Sequence, residues 1–354
     1  MGGFRGNVSA TGNPGDADPS NFTACLLMLR WYQASVTFPI FRQHCDHCER
    51  RAWLFPSVYA QLADALRLRH ALVPYIYSAA RAAALTGLPL VRPMYYEFPG
   101  EDGAYAATHQ YMFGDDVLSA PISQISWSGN GGLPDNTTKR GVWLPPGEWS
   151  AWAPAGGAAA PAVFAGPAIA TVAAGFADIP LFVRAGALLP LQAANLSNAA
   201  RAAPDIEWAL FPAGSGGGYG GYNASAELFE DDGESAPSDG SGGVVTRATA
   251  TVDAGSGATT LSVQAADGAP FAGFPARRGV GLQIRAPRMP RPAAVTCDGA
   301  PLAAIDPAAP DDGVAAGWFV VPAARGSLAA PAGTLIVRAG ALSTDAAHAI
   351  EVTF

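Results

Sequence analysis

From Leu88 to its C-terminus the chain reads as short apolar or alternating runs, each cut off by glycine or proline. Leu90–Tyr96, Val117–Ile122, Gly141–Leu144, Leu181–Arg184, Thr260–Val263 and Gly281–Arg285 are such runs. With 41 Gly and 30 Pro in 354 residues, few segments after Leu88 can extend as helix. Many short strands with frequent turn signals predict β-sandwich architecture. Gly214–Gly221 and Ser235–Gly243 are nearly all small residues and read as loops.

The first ninety residues follow a different period. Phe22–Ser35 carries Leu26, Leu27, Leu29 and Trp31 behind Ser20-Asn21, a pair able to cap a helix. Val36–Phe41 is apolar, β-branched and aromatic, the pattern of a buried strand. Val58, Leu62, Leu66, Val73, Ile76 and Tyr77 recur at helical spacing and predict one helix from about Val58 to Leu85. Ser57 can cap it, Pro74 should kink it and Gly87 can end it. The boundaries fall near residues 86 and 200, giving segments 1–86, 87–200 and 201–354.

Charge and polarity narrow the function. Hydrophobic residues make up 49% and charged ones 14%, too apolar for wholesale disorder. A net charge of -8 argues against nucleic acid or an anionic membrane surface as partner and favours a neutral ligand. The uncharged stretch Trp149–Ala177 is broken by Pro154, Pro161 and Pro167, so no membrane insertion is expected. Met1–Gly6 has no apolar run of the signal-peptide kind, and Gly6 stands where a myristoylation motif wants Ser or Thr. Five of the eight asparagines, Asn7, Asn21, Asn136, Asn195 and Asn223, open N-x-Ser/Thr sequons. Chance predicts about one, so these five are expected to carry N-glycans in a secretory-pathway protein.

Few constellations carry chemistry alone. His44-Cys45-Asp46-His47-Cys48 could hold zinc or a redox pair, but no second ligand pair or βαβ setting accompanies it. In an oxidising compartment a local Cys45–Cys48 disulfide is the better reading. There is no G-x-S-x-G elbow, and no Lys-Ser/Thr follows the glycine run at Gly214. Asp115-Asp116 and Glu230-Asp231-Asp232 are carboxylates of the type glycoside hydrolysis uses, but beside Gly114 and Gly233 they read as solvated turns, with calcium a minor option for the second.

Longer strings go further. Arg30-Trp31-Tyr32-Gln33, Phe38–His44, Arg50-Arg51-Ala52-Trp53, Ala65–Arg69 and Leu72–Tyr77 resemble glycoside hydrolase family 31, the α-glucosidase and α-xylosidase group. So do Gly87–Pro93, Gln110–Asp116, Trp143–Trp149 and Ile179–Gly186, in the same order; beyond about residue 191 only Glu227–Gly233 resembles it. The resemblance implies the last segment of a (β/α)8 barrel followed by proximal and distal β-sandwich domains. Such a barrel needs roughly 250 residues, so Val36–Phe41 would be its eighth strand and the helix after Ser57 its eighth helix. The helix faces around Leu62, Leu66 and Ile76 should then be partly exposed unless they rest on the sandwich.

The resemblance also implies a retaining α-glycosidase working by double displacement between two carboxylates about 5 Å apart. Met1-Gly2-Gly3-Phe4 fits the tail of a family string whose Asp falls before Met1, and both catalytic aspartates would lie upstream. This chain alone is therefore expected to be inactive. Phe4 matches an aromatic residue of the sugar subsite, Arg42 an arginine orienting carboxylates at the barrel mouth, and His44 a histidine bonding sugar hydroxyls. Arg50-Arg51-Ala52-Trp53 departs from the usual Arg-Glu-Pro-Trp. No metal or organic cofactor is implied; the partner is a carbohydrate substrate. Alternatives are a non-catalytic carbohydrate-binding β-sandwich protein and an inactive remnant.

Overall fold

The computed structural model describes residues 22–44, 50–123, 138–152, 163–192, 205–211, 213–214, 221–235, 242–285, 291–305, 316–321 and 334–354. Ser20, and with Asn21 the proposed cap of the first helix, lie outside them. So do Phe4, the Cys45–Cys48 pair and the sequon asparagines other than Asn223.

Three helices lead. Helix α1 (Phe22–Ser35) buries Cys25, Leu26, Met28, Leu29 and Tyr32 along one face and leaves Leu27 and Trp31 exposed. The expected single helix is two, α2 (Tyr59–Ala71) and α3 (Val73–Thr86), broken at Leu72. Pro74 sits in the first turn of α3, where its missing N–H breaks no bond, so the chain restarts instead of kinking. Ser57 does not cap; a 3-10 turn at Pro56–Val58 leads into α2 with no side-chain cap. Gly87 does end α3, at φ +77 with its N–H on the Ala83 carbonyl at 2.8 Å.

Two short helices, α4 (Met94–Glu97) and α5 (Asp102–Ala106), accompany a six-stranded antiparallel sheet. Its strands are β1 (Val91–Pro93), β2 (Tyr111–Phe113), β3 (Val117–Ser119), β4 (Thr138–Ala151), β5 (Val163–Ala174) and β6 (Leu181–Arg184), in the order β1-β2-β3-β6-β4-β5. One core of this sheet gathers Met94, Met112, Leu118, Val142, Leu144, Trp149 and Phe182.

The remaining strands form two sheets. They are β7 (Leu188–Gln192), β8 (Asp205–Leu210), β9 (Tyr222–Glu230), β10 (Gly243–Val252), β11 (Thr259–Val263), β12 (Asp267–Ala269), β13 (Arg277–Ile284), β14 (Ala294–Cys297), β15 (Ala300–Pro301), β16 (Gly317–Val320), β17 (Leu335–Ser343) and β18 (His348–Thr353). A five-stranded sheet runs β16-β17-β13-β8-β7, its β8–β13 pair parallel; a seven-stranded sheet runs β12-β10-β11-β18-β14-β15 with β9 on the far side of β10. Alternate residues of both sheets, such as Ile206, Trp208, Leu261, Leu282, Val337 and Ile350, close one core, the face-to-face packing of a β-sandwich. The opposite face of the five-stranded sheet carries Glu207, Gln283 and a fully buried Arg285, whose guanidinium lies 4.5 Å from the Trp152 ring and 5.1 Å from Phe211.

The helices do rest on the β-structure. Leu29, Leu62, Leu68 and Leu72 share a core with Leu181, Val183, Leu189 and Leu191. Leu62 is fully buried, Ile76 is 9% exposed and Leu66 packs at the edge, so the partly exposed face expected there is covered. Helix α3 also meets the β-sandwich: Tyr77 stacks on Phe229 with ring centroids 5.9 Å apart, and Ser78 Oγ accepts the Phe229 N–H at 2.9 Å.

Candidate active-site segment

The expected strand Val36–Phe41 is not a strand. Among the described residues no strand pairs with it, so its backbone groups turn to local and side-chain partners. The amides of Val36, Thr37 and Phe38 bond the carbonyls of Gln33, Ala34 and Ser35, closing a turn after α1. Arg69 of α2 supplies the rest, donating to the carbonyls of Val36 (3.0 Å), Phe38 and Pro39 (2.8 Å). Burial lowers the Arg69 pKa to about 10, which leaves it charged at neutral pH. Thr37 is fully buried and shares hydrogen bonds of 2.8 Å with Tyr111 of β2 and Ser119 of β3.

From this anchor the chain runs outward. Phe41 sets its ring against Tyr32 at 5.4 Å, edge to face. Phe41 and Gln43 are half-buried, whereas Ile40, Arg42 and His44 are exposed. That is the two-residue alternation of an extended segment, and it places Arg42 and His44 on one side. Of the three expected substrate contacts, Arg42 and His44 are exposed two residues apart on this segment, and Phe4 lies outside the described residues. Among the described residues no three His, Cys, Asp or Glu side chains gather as a metal set.

The other motif strings are side-chain locks on backbone. Arg30 bonds Gln33 Oε1 (2.8 Å) and the carbonyls of Gly175 (3.1 Å) and Asp178 (3.4 Å), while Gln33 Nε2 reaches the Phe176 carbonyl at 2.6 Å. Together they clamp α1 to the turn between β5 and β6. Gln110 bonds Trp143 twice, accepting its N–H at 2.9 Å and donating to its carbonyl at 2.6 Å. Where Arg51-Ala52 replaces the expected Glu-Pro, Ala52 is buried, the following Trp53 is exposed, and the Arg51 guanidinium lies 5.4 Å from the Trp53 ring.

In the two carboxylate clusters Asp115 and Asp232 are exposed, as expected of solvated turns, but both clusters also pair with side chains of the fold. Gly114 turns the chain at φ +66, and a Cβ there would stand 2.1 Å from the Tyr75 hydroxyl. That hydroxyl donates to the Phe113 carbonyl at 2.8 Å, fixing the corner to α3. Asp115 accepts from Arg92 at 2.6 Å, and Asp116 lies 3.9 Å from the Arg184 guanidinium. Burial raises the Asp116 pKa, outweighing Arg184, and the neighbouring Asp115 charge adds to the rise. In the second cluster Glu230 pairs with a buried Arg278 at 2.8 Å, and Asp231 accepts the Tyr77 hydroxyl at 2.6 Å. Asp232 is the turn carboxylate expected, bonding the amides of Glu234 and Ser235, and Asp231 also accepts the Gly233 amide at 2.9 Å. Sequence reasoning missed Arg69, Arg92 and Tyr75 because their partners are carbonyls or carboxylates distant in the chain.

The helices thus lead into a six-stranded sheet and a β-sandwich, with Arg42 and His44 exposed on the segment that follows α1. The glycosyl hydrolases family 31 TIM-barrel domain matches residues 1–79, and the family 31 C-terminal domain matches residues 87–189. The chain belongs to glycoside hydrolase family 31. It is 31% identical over 229 residues to an α-xylosidase of Saccharolobus solfataricus, a match covering 63% of this chain and 28% of that protein. An α-glucosidase of Aspergillus niger is 32% identical over 210 residues, 58% of this chain and 20% of its own length. The chain thus spans under a third of either relative. A solved dextranase of Flavobacterium johnsoniae, complexed with glucose, shares the fold over 95% of this chain and 38% of its own, with TM-score 0.71 at 22% identity.

Proposed function

We propose that this chain is the C-terminal part of a retaining α-glycosidase of the α-glucosidase type, contributing Arg42 and His44, with Phe4, to a sugar site completed by other parts of a longer protein. The observation that carries the reading is the co-linear family match over both the barrel end and the domain after it. The exposed alternation at Ile40, Arg42 and His44 supports it: the segment keeps a strand's period while, among the described residues, no strand pairs with it. On this reading residues 1–86, 87–200 and 201–354 are the barrel end, the proximal domain and the distal domain. The catalytic aspartates belong to the rest of the barrel, and the isolated chain is inactive. We further infer a secretory-pathway setting with N-glycans; Asn223, exposed on β9, is the described sequon able to accept one.

The test has two arms. The purified chain should not turn over an aryl α-glucoside above the uncatalysed rate, whereas a longer polypeptide containing it should. In that polypeptide His44→Ala should lower kcat/KM by about tenfold, roughly 1.4 kcal/mol, with little change in melting temperature. Turnover by the isolated chain would overturn the fragment reading. An unchanged kcat/KM with a lowered melting temperature would make His44 structural.

A further inference from the structure

A cleft of about 610 Å³ opens between α3, the Phe113–Asp116 corner and the β9–β10 ladder. Its size falls within the range of small-molecule sites, and it lies where the helices, the six-stranded sheet and the sandwich meet, a preferred place for them. Nothing described above uses it. Ala79, Ala82 and Ala83 give one wall a low profile. On the opposite wall Ser225 stands across from Thr249 and Glu227 across from Arg247 in the β9–β10 register. Asp115 and Asp116 line the end held by Tyr75.

The charges of this lining are largely offset within it. Glu227 accepts from Arg247 at 2.9 Å, Arg247 also bonds Asp267 at 3.1 Å, and Arg92 holds Asp115 at 2.6 Å. An anionic ligand would meet three carboxylates whose cations are already engaged. A ligand rich in neutral hydroxyls fits better, because each hydroxyl both donates to a carboxylate and accepts from guanidinium, amide or hydroxyl donors. The walls are also fixed before binding: Ser78 joins α3 to β9, and Tyr75 joins α3 to the corner. Such preorganisation lowers the entropy lost on binding.

We infer that this cleft is a binding site for a short neutral oligosaccharide. The choice of sugar over another polyol rests on the α-glycosidase reading given above. The chain, produced without N-glycans so that a sugar on Asn223 does not compete, is titrated with maltotriose and with isomaltotriose by calorimetry. Saturable one-to-one binding of at least one is expected. Ser225→Trp and Ala82→Trp, at exposed positions on opposite walls, fill the cleft and should each weaken that binding about tenfold or more at an unchanged melting temperature. Should one variant unfold, the other carries the test.

No saturable binding of either sugar, or binding that both filled variants retain, would overturn the inference. The two readings fail separately. A longer polypeptide that hydrolyses α-glucosides while the cleft binds neither sugar removes only the cleft. A polypeptide inactive on α-glucosides whose cleft still binds removes only the glycosidase.

Discussion

Residues 22–192 and residues 205–354 are both rich in antiparallel ladders, yet they are held differently. In the first, named side chains reach distant backbone: Arg30 to Gly175, Arg69 to Val36, Gln110 to Trp143, Tyr75 to Phe113. In the second, the core comes from alternation, with residues such as Val280, Leu282 and Ile284 facing Leu261 and Ile350 across the sandwich. The family-domain matches end at residue 189 and the sequence match to the α-xylosidase covers 63% of the chain, while the shared fold covers 95%. A lock needs one side chain at one place, so its sequence stays recognisable. A sandwich core needs only apolar residues of suitable volume at alternate positions, so its sequence can drift while its shape does not.

The contrast breaks first at two glycines. Gly114→Ala forces a Cβ to within 2.1 Å of the Tyr75 hydroxyl at a left-handed φ, and should destabilise by about 3 kcal/mol or more. Gly233→Ala, at φ +69 with no atom within 4 Å, carries only the backbone strain, about 1 kcal/mol. Urea unfolding midpoints would compare the two, and equal losses would deny the corner its role as a lock.

A second comparison sets one methionine against another. Arg30→Met strands Gln33 and two carbonyls, and should lose about 2–3 kcal/mol. Leu282→Met, in a fully buried sandwich position, should lose about 1 kcal/mol. A larger loss at Leu282 would reverse the contrast.

The smallest effect is one of pH. Asp116 has a folded pKa raised above the unfolded value of 3.8, so the folded chain binds its proton more tightly than the unfolded chain. That contribution is full below the unfolded value and is lost as pH rises through the folded one. Stability measured upward from about pH 4 should therefore fall slightly in the wild type and less in Asp116→Asn. A steeper fall in Asp116→Asn would contradict the burial of this carboxyl.

What was legible in the sequence follows the same division. The change of period near Leu88, α1, the end of α3 at Gly87 and six of the eighteen described strands could be read because each depends on neighbours in the chain. The break at Leu72 could not be foreseen, because Pro74 is equally at home as a kink or as a first turn. Val36–Phe41 has a strand's composition, but a strand also requires a neighbour, and composition does not report one. At the candidate site, Arg42 and His44 came from family strings and not from residue chemistry. Arg69 was part of such a string without a role, since the carbonyls it holds leave no mark in the sequence.

The placement of α3 has one more consequence. Among the described residues β9 pairs only with β10, so its other side would be an open sheet edge, ready to recruit a strand from another molecule. Ser78 takes the outward Phe229 N–H, and Tyr77 and Arg81 cover the Phe229 ring from the same helix. A helix counted with the barrel thus guards the sandwich against fibrous self-association, a protection the sandwich strands do not supply for themselves at this edge.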